Sequence, residues 1–223
     1  LVGYWHLDSF NSTNHTLDSS GNGLTGQCVN ITGGCNNSIS GKYNNSFTFD
    51  GSNDYVKMGD IASLENLTSL TIESWVKTNV NTFNRPIVSK WYTGTVSYVV
   101  RIDPDSSTGK VGFSTNTGLT VNSLSTSQIV DGTWHHVVAT YDGTNQKVYI
   151  DSKLEDTDPQ TGTISNSEEE FCIGDFCNAG TGQGSNFNGI IDSTRIYSRA
   201  LGAAEILANY QAGNVELQTR TGT

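Results

Sequence analysis

The sequence predicts an all-β domain, a sandwich or barrel of antiparallel strands with one short C-terminal helix. Three observations predict it. Apolar and polar residues alternate from Trp134 to Tyr141, Asp142-Gly143 opens a tight turn, and a second alternating run follows at Lys147-Val148-Tyr149-Ile150. Several more short alternating runs are separated by Gly, Ser and Asn turns. Helical spacing of good helix formers occurs once, in Ala203-Ala204-Glu205-Ile206-Leu207-Ala208-Asn209-Tyr210.

The elements follow in order. Leu1 to Leu7 reads as an opening strand. Residues 9–46 are dominated by Asn, Ser, Thr and Gly, and read as a long loop with at most a short strand. Such a loop needs a tie. Phe47–Phe49 and Tyr55–Met58 read as a strand pair around an Asp50-to-Asp54 turn. Leu70–Lys77 alternates, with Leu70, Ile72, Ser74 and Val76 on one face and Thr71, Glu73, Trp75 and Lys77 on the other. Further strands are expected at Pro86–Trp91, Tyr98–Ile102, Lys110–Ser114, Gln128–Val130, in the hairpin at 134–150, at Glu170–Gly174 and at Ile190–Tyr197. One domain over 1–211 is expected, with 212–223 as a polar tail or linker.

The chain has 22 acidic and 12 basic residues among 223, a net charge of -10. That balance excludes nucleic acid and anionic membranes as expected partners. It suits an extracellular or cell-surface domain and a bound cation. No apolar run is long enough to span a bilayer, and the chain opens on a strand, as a mature or trimmed chain would. Four cysteines allow three pairings. Short loops close easily, so Cys28–Cys35 and Cys172–Cys177 are expected. Neither pair has zinc-site spacing. Asn11, Asn14, Asn30, Asn36, Asn44 and Asn66 lie in N-x-[ST] sequons and mark exposed loop and candidate glycosylation sites.

Three segments carry a resemblance. Thr133-Trp134-His135-His136-Val137-Val138-Ala139-Thr140-Tyr141-Asp142-Gly143 is similar to the central hairpin of laminin G-like domains, which are concanavalin A-like. Phe47-Thr48-Phe49-Asp50-Gly51 and Ile190-Ile191-Asp192-Ser193-Thr194-Arg195-Ile196-Tyr197, followed by Arg199-Ala200-Leu201, fit the same family. The resemblance implies an antiparallel two-sheet jelly-roll sandwich in which the first and last strands pair. It does not choose among lectins, glycosidases and adhesion modules, because the fold hosts all three.

The resemblance also implies a structural Ca²⁺, held by an Asp of the last strand, a glycine carbonyl in an early turn and a residue of the first strand. Asp192, Gly51 and Asp8 match these, with Asp50 beside them and Asp18 able to add an oxygen. Calcium takes six to eight oxygen ligands, which suits such a set. The alternative is that Asp192 pairs with Arg195 or Arg199.

Glycoside hydrolysis needs two carboxylates flanking a sugar. Relatives that catalyse it present E-x-D-x-x-E or E-x-D-x-E on one strand, and no strand here does. Glu73 stands alone, and Glu168-Glu169-Glu170 reads as a solvated run. Adjacent His135 and His136 point to opposite faces and cannot chelate one ion. No G-x-S-x-G elbow is present. The expectation is a non-enzymatic module that binds glycan or an extracellular protein. Its candidate ligand contacts are Trp91, Tyr92, Tyr98 and Arg85, with Trp91-Tyr92 as the exposed platform.

Overall fold

A computed structural model of the chain describes residues 1–11, 13–29, 39–92, 95–102, 108–177 and 186–221. The described residues form sixteen strands and one α-helix. The strands are β1 (Gly3–Phe10), β2 (His15–Asp18), β3 (Gly26–Val29), β4 (Ile39–Ser40), β5 (Asn45–Asp50), β6 (Tyr55–Lys57), β7 (Leu70–Lys77), β8 (Arg85–Tyr92), β9 (Thr95–Ile102), β10 (Lys110–Asn116), β11 (Thr120–Gln128), β12 (Trp134–Tyr141), β13 (Asn145–Ile150), β14 (Lys153–Pro159), β15 (Cys172–Ile173) and β16 (Asn188–Tyr197). The helix is α1 (Ala203–Thr221).

The ladders are antiparallel and run without a break in the order β11-β10-β9-β8-β15-β6-β3-β2-β1-β16-β7-β12-β13-β14. This is one sheet folded over, where the sequence led to two separate sheets. Its two ends meet through side chains. The Leu124 amide of β11 donates to Asp156 Oδ2 of β14 at 2.7 Å, and the Ser127 amide donates to Glu155 Oε2 at 3.0 Å. Buried Gln146 of β13 donates to the Phe113 carbonyl and accepts from Thr115 Oγ1 of β10. The interior is a continuous apolar cluster that includes Trp5, Phe47, Phe49, Tyr98, Phe113 and Tyr141. Burying such side chains contributes roughly 1.5–3 kcal/mol each before conformational entropy is subtracted.

The first and last strands pair as expected, with Gly3 opposite Ile196 and Trp5 opposite Thr194. Four expectations change. The loop at 9–46 carries β2, β3 and β4 among its described residues. β5 and β6 are not a hairpin: β5 pairs with β16, and β6 with β3 and β15. β11 and β14 are full strands where only a short strand at Gln128–Val130 was expected. The helix does not stop at Tyr210 but continues to Thr221. Gly213 allows this, since a Cβ there would lie 2.5 Å from Trp75 Cζ2.

α1 lies over the outer face of β7, β12 and β16. Val138, Tyr149, Leu201 and Ile206 form a small apolar cluster there. Beside it, Glu73 Oε1 accepts from Arg195 Nη1 at 2.8 Å, and Asn209 of α1 donates to both Glu73 oxygens. Trp75 stacks on Tyr210, with the Lys42 ammonium 3.7 Å from its ring centroid. No helix is long and apolar enough to cross a membrane among the described residues. Cys172 and Cys177 are disulfide-bonded, with Cα atoms 5.9 Å apart. Cys28 is also disulfide-bonded, and its expected partner Cys35 lies outside the described residues.

Candidate functional site

Two candidate sites emerge: an acidic pair where the first and last strands meet, and an aromatic platform on β8.

β16 exchanges one neighbour for another along a single edge. Residues 188–191 pair with β5, and 194–196 pair with β1. Asp192 sits at the gap. The backbone is bulged on both sides of it, with Ser193 at φ 49 and Leu7 at φ 59. Left-handed non-glycine residues cost of order 1–3 kcal/mol and concentrate at functional sites. Here they bring Asp8 beside Asp192. The Asp192 carboxyl is fully buried, and its pKa is pushed up to about 7 by burial and then by the Asp8 charge.

Asp192 Oδ2 accepts the Tyr43 amide at 3.0 Å, whereas Oδ1 is buried without a hydrogen-bond partner. Gly41 completes the cradle. A Cβ at this position would lie 2.5 Å from the Tyr43 carbonyl oxygen, 2.6 Å from that of Asn45 and 2.6 Å from Asp192 Oδ2. Carboxylates and backbone carbonyls thus converge where no side chain is admitted, the donor chemistry of a hard cation. Neither arginine named as an alternative partner neutralises Asp192: Arg195 is paired with Glu73 and Arg199 with Glu205.

The other expected ligands are elsewhere. Asp50 is opposite Asn188, four residues along β16 from Asp192, or roughly 13 Å at the usual rise per residue. Its carboxylate accepts the Ser52 amide at 2.7 Å, and the Gly51 carbonyl accepts from Arg85. Asp50 and Gly51 are turn residues because the early turn lies at the far end of β5 from the gap. Asp18 is saturated by the Tyr4, Ser20 and Leu24 amides and the Ser20 hydroxyl. Gly41 and the carbonyls of Tyr43 and Asn45 were not foreseen. They lie in an Asn-rich stretch with no local signal, and only the chain's return past β16 gives them a role.

The expected sugar contacts also divide. Tyr98 is fully buried in the core, so it is not available to a ligand. Arg85 is a structural tie, donating to Thr82 Oγ1 at 2.7 Å and to the Asn186 carbonyl at 2.7 Å. The Tyr92 side chain lies outside the described residues. Trp91 is half-buried, and the Arg101 guanidinium lies 5.4 Å from its ring centroid. Arg101 also reaches Ser114 Oγ. The alternation of β9 around Tyr98 and Val100 could have placed Arg101 on that face.

Of the sequons, Asn66 and Asn44 are exposed, whereas Asn11 and Asn14 are half-buried and hydrogen-bonded. Asn30 and Asn36 lie outside the described residues.

A family model described as the concanavalin A-like lectin/glucanases superfamily matches residues 50–207, well over half of the chain. The protein therefore belongs to that superfamily. Among solved structures it is similar to domain 4 of AbnA, a GH43 extracellular arabinanase from Geobacillus stearothermophilus, solved in complex with arabinotriose. That match covers 93% of this chain and 97% of the other, at 19% identity and a TM-score of 0.70. The binding domain of Paraclostridial Mosquitocidal Protein 1 matches with a TM-score of 0.70 at 15% identity, over 95% of this chain and 52% of the other. The ligand-binding domain of botulinum neurotoxin serotype D, in complex with N-acetylneuraminic acid, matches with a TM-score of 0.68 at 13% identity, over 95% and 50%. This chain spans about half the length of these toxin domains. At such identities the likeness is one of fold. No curated protein matches the sequence.

Proposed function

We propose that this domain is a non-catalytic extracellular recognition module that binds glycan and carries a structural calcium ion. The observation that carries the reading is membership of a lectin/glucanase superfamily, joined to near full-length likeness to an arabinanase domain solved with an arabino-oligosaccharide. Trp91 with Arg101 supplies an aromatic platform with polar neighbours, the chemistry that sugar rings stack on. The disulfide at Cys172–Cys177 suits an oxidising compartment. The non-enzymatic half of the reading is supported by Glu73, which is 1% exposed and held by Arg195 and Asn209 under α1, out of reach of a substrate.

A glycan array that includes arabino-oligosaccharides and sialylated glycans, run beside a hydrolysis assay, tests this. Binding without turnover is expected. Turnover that survives purification overturns the non-enzymatic reading, and silence on every glycan favours adhesion to a protein partner.

Calcium would be held by Asp8 and Asp192, with backbone carbonyls around Gly41 completing the shell. Asp50 and Gly51 drop out of that set. The ion would offset the repulsion of two neighbouring carboxylates and tie β1 to β16. A ligand present at about 100-fold over its Kd stabilises by roughly 2.7 kcal/mol. Chelation is therefore expected to lower Tm by several degrees, and Asp192→Ala to remove that response. A melting curve unmoved by chelator, with no metal by elemental analysis, defeats the calcium reading.

A further inference from the structure

One cross-strand row runs over the outer face of eight neighbouring strands. Its members are opposite one another in register: His15 and Gln27, Gln27 and Lys57, Lys57 and Cys172, Cys172 and Ser89, Ser89 and Val99, Val99 and Ser114, Ser114 and Asn122. The inward neighbours of this row, among them Cys28, Val56, Ile173 and Val100, belong to the core. Cys172, Ser89, Val99 and Ser114 are nonetheless fully buried. The Cys172–Cys177 loop lies against this middle stretch, since Ser89 Oγ donates to the Asp175 carbonyl at 2.7 Å. It divides the face. Trp91 and Arg101 lie on one side. On the other, at the β2–β3–β6 end, is a cleft of about 280 Å³ whose lining includes His15, Thr25, Gln27, Lys57, Met58 and Glu170.

We infer that this cleft is a second saccharide subsite, separate from the Trp91 platform, which takes one neutral sugar ring. The inference rests on the glycan-binding reading above. The chemistry of the lining supports the ligand class. Lys57 Nζ and Glu170 Oε1 are 3.6 Å apart, so a donor and an acceptor stand side by side, as adjacent hydroxyls require. The Gln27 amide offers both roles, and Thr25 adds a hydroxyl. His15 Nδ1 lies 2.8 Å from the Thr13 carbonyl and donates to it, which leaves Nε2 for a ligand. Because Lys57 and Glu170 balance, the cleft offers no excess positive charge to an acidic sugar. The net charge of -10 also disfavours one. The volume is just below the roughly 300–1,000 Å³ typical of ligand pockets, which fits a single ring. Strand spacing of about 4.8 Å sets His15, Gln27 and Lys57 one ring width apart.

Amide NMR of the whole chain, titrated with L-arabinose, D-galactose, D-glucose and N-acetylneuraminate, tests the inference. A neutral monosaccharide is expected to shift the amides of His15, Gln27 and Lys57 together, with N-acetylneuraminate leaving them in place. The double variant Lys57→Ala/Glu170→Ala should weaken that binding at least tenfold while Trp91→Ala does not. Both side chains are about a third exposed, so the double variant should keep the wild-type Tm. If the sugars shift only the Trp91 and Arg101 region, or if the double variant binds as the wild type does, the cleft is not a subsite and the glycan reading stands. If neither the monosaccharides nor the array glycans bind, both fall together.

Discussion

The two outer faces of the folded sheet carry polar residues of the same kinds and use them differently. Over β7, β12 and β16, α1 is in place, and Glu73, Arg195, His136 and Lys42 are drawn into one buried network with Trp75 and Tyr210. Over β2, β3 and β6, no helix among the described residues lies on His15, Gln27, Lys57 and Glu170, and these line a cleft. The difference teaches that a charged residue on a strand acquires its role from what covers it. A covered ion pair must be satisfied internally or it destabilises the fold. An uncovered one costs little and keeps its hydrogen-bonding capacity for a ligand.

Breaking the covered face should have the largest effect. Glu73→Gln leaves the Arg195 guanidinium without its countercharge, although its hydrogen bond to the Tyr4 hydroxyl persists. Removing one partner of a buried pair costs about 3–5 kcal/mol. Urea unfolding should show a loss of that order, and a loss under about 1 kcal/mol would mean that the two faces do not differ as described.

The adjacent histidines sharpen the contrast through pH. His136, under α1, is held neutral: burial foremost lowers its pKa to about 4, despite Glu73 nearby. The unfolded chain takes up this proton near 6.5, so stability is lost as pH falls from 6.5 towards 4. His135, at the rim, is held chiefly by its hydrogen bond to Asp151 at 2.8 Å, with Asp131 on its other nitrogen, and its pKa is raised. Its contribution is full below 6.5 and is lost as pH rises through the folded value. Melting temperatures measured from pH 4.5 to 8.5 should fall less on the acid side in His136→Gln and less on the alkaline side in His135→Gln. Identical pH profiles for the two variants would contradict the assignment.

The smallest effect on stability should come from the open face. Lys57→Ala removes an exposed pair worth about 0–1 kcal/mol and should leave the unfolding midpoint nearly unchanged. A loss comparable to that of Glu73→Gln would show that this face, too, is structurally committed.

Much of this molecule was legible before folding was considered. Alternation at Leu70–Lys77 and Trp134–Tyr141 gave two central strands and their two faces, because a period of two is a local property of the chain. The hairpin turn at Asp142-Gly143, the Cys172–Cys177 bridge and the pairing of the first and last strands follow from short-range chemistry or from family resemblance. The polar strands β11 and β14 were not legible. Their residues have no apolar period, and they are strands because their ends of the sheet meet through Asp156 and Glu155. The helix beyond Tyr210 is likewise a product of contact, with Gly213 against Trp75 and Asn214 accepting from Lys42 at 2.9 Å. Sequence named Asp8 and Asp192 but also Asp50 and Gly51, since distance along β16 is invisible in the order of residues. It offered Tyr98 beside the Trp91-Tyr92 platform as a ligand contact, and burial in the folded core removed it. Local periodicity was set by the chain itself. Which polar groups face one another, and which remain open to a ligand, was decided only by the folded sheet and the helix laid across one of its faces.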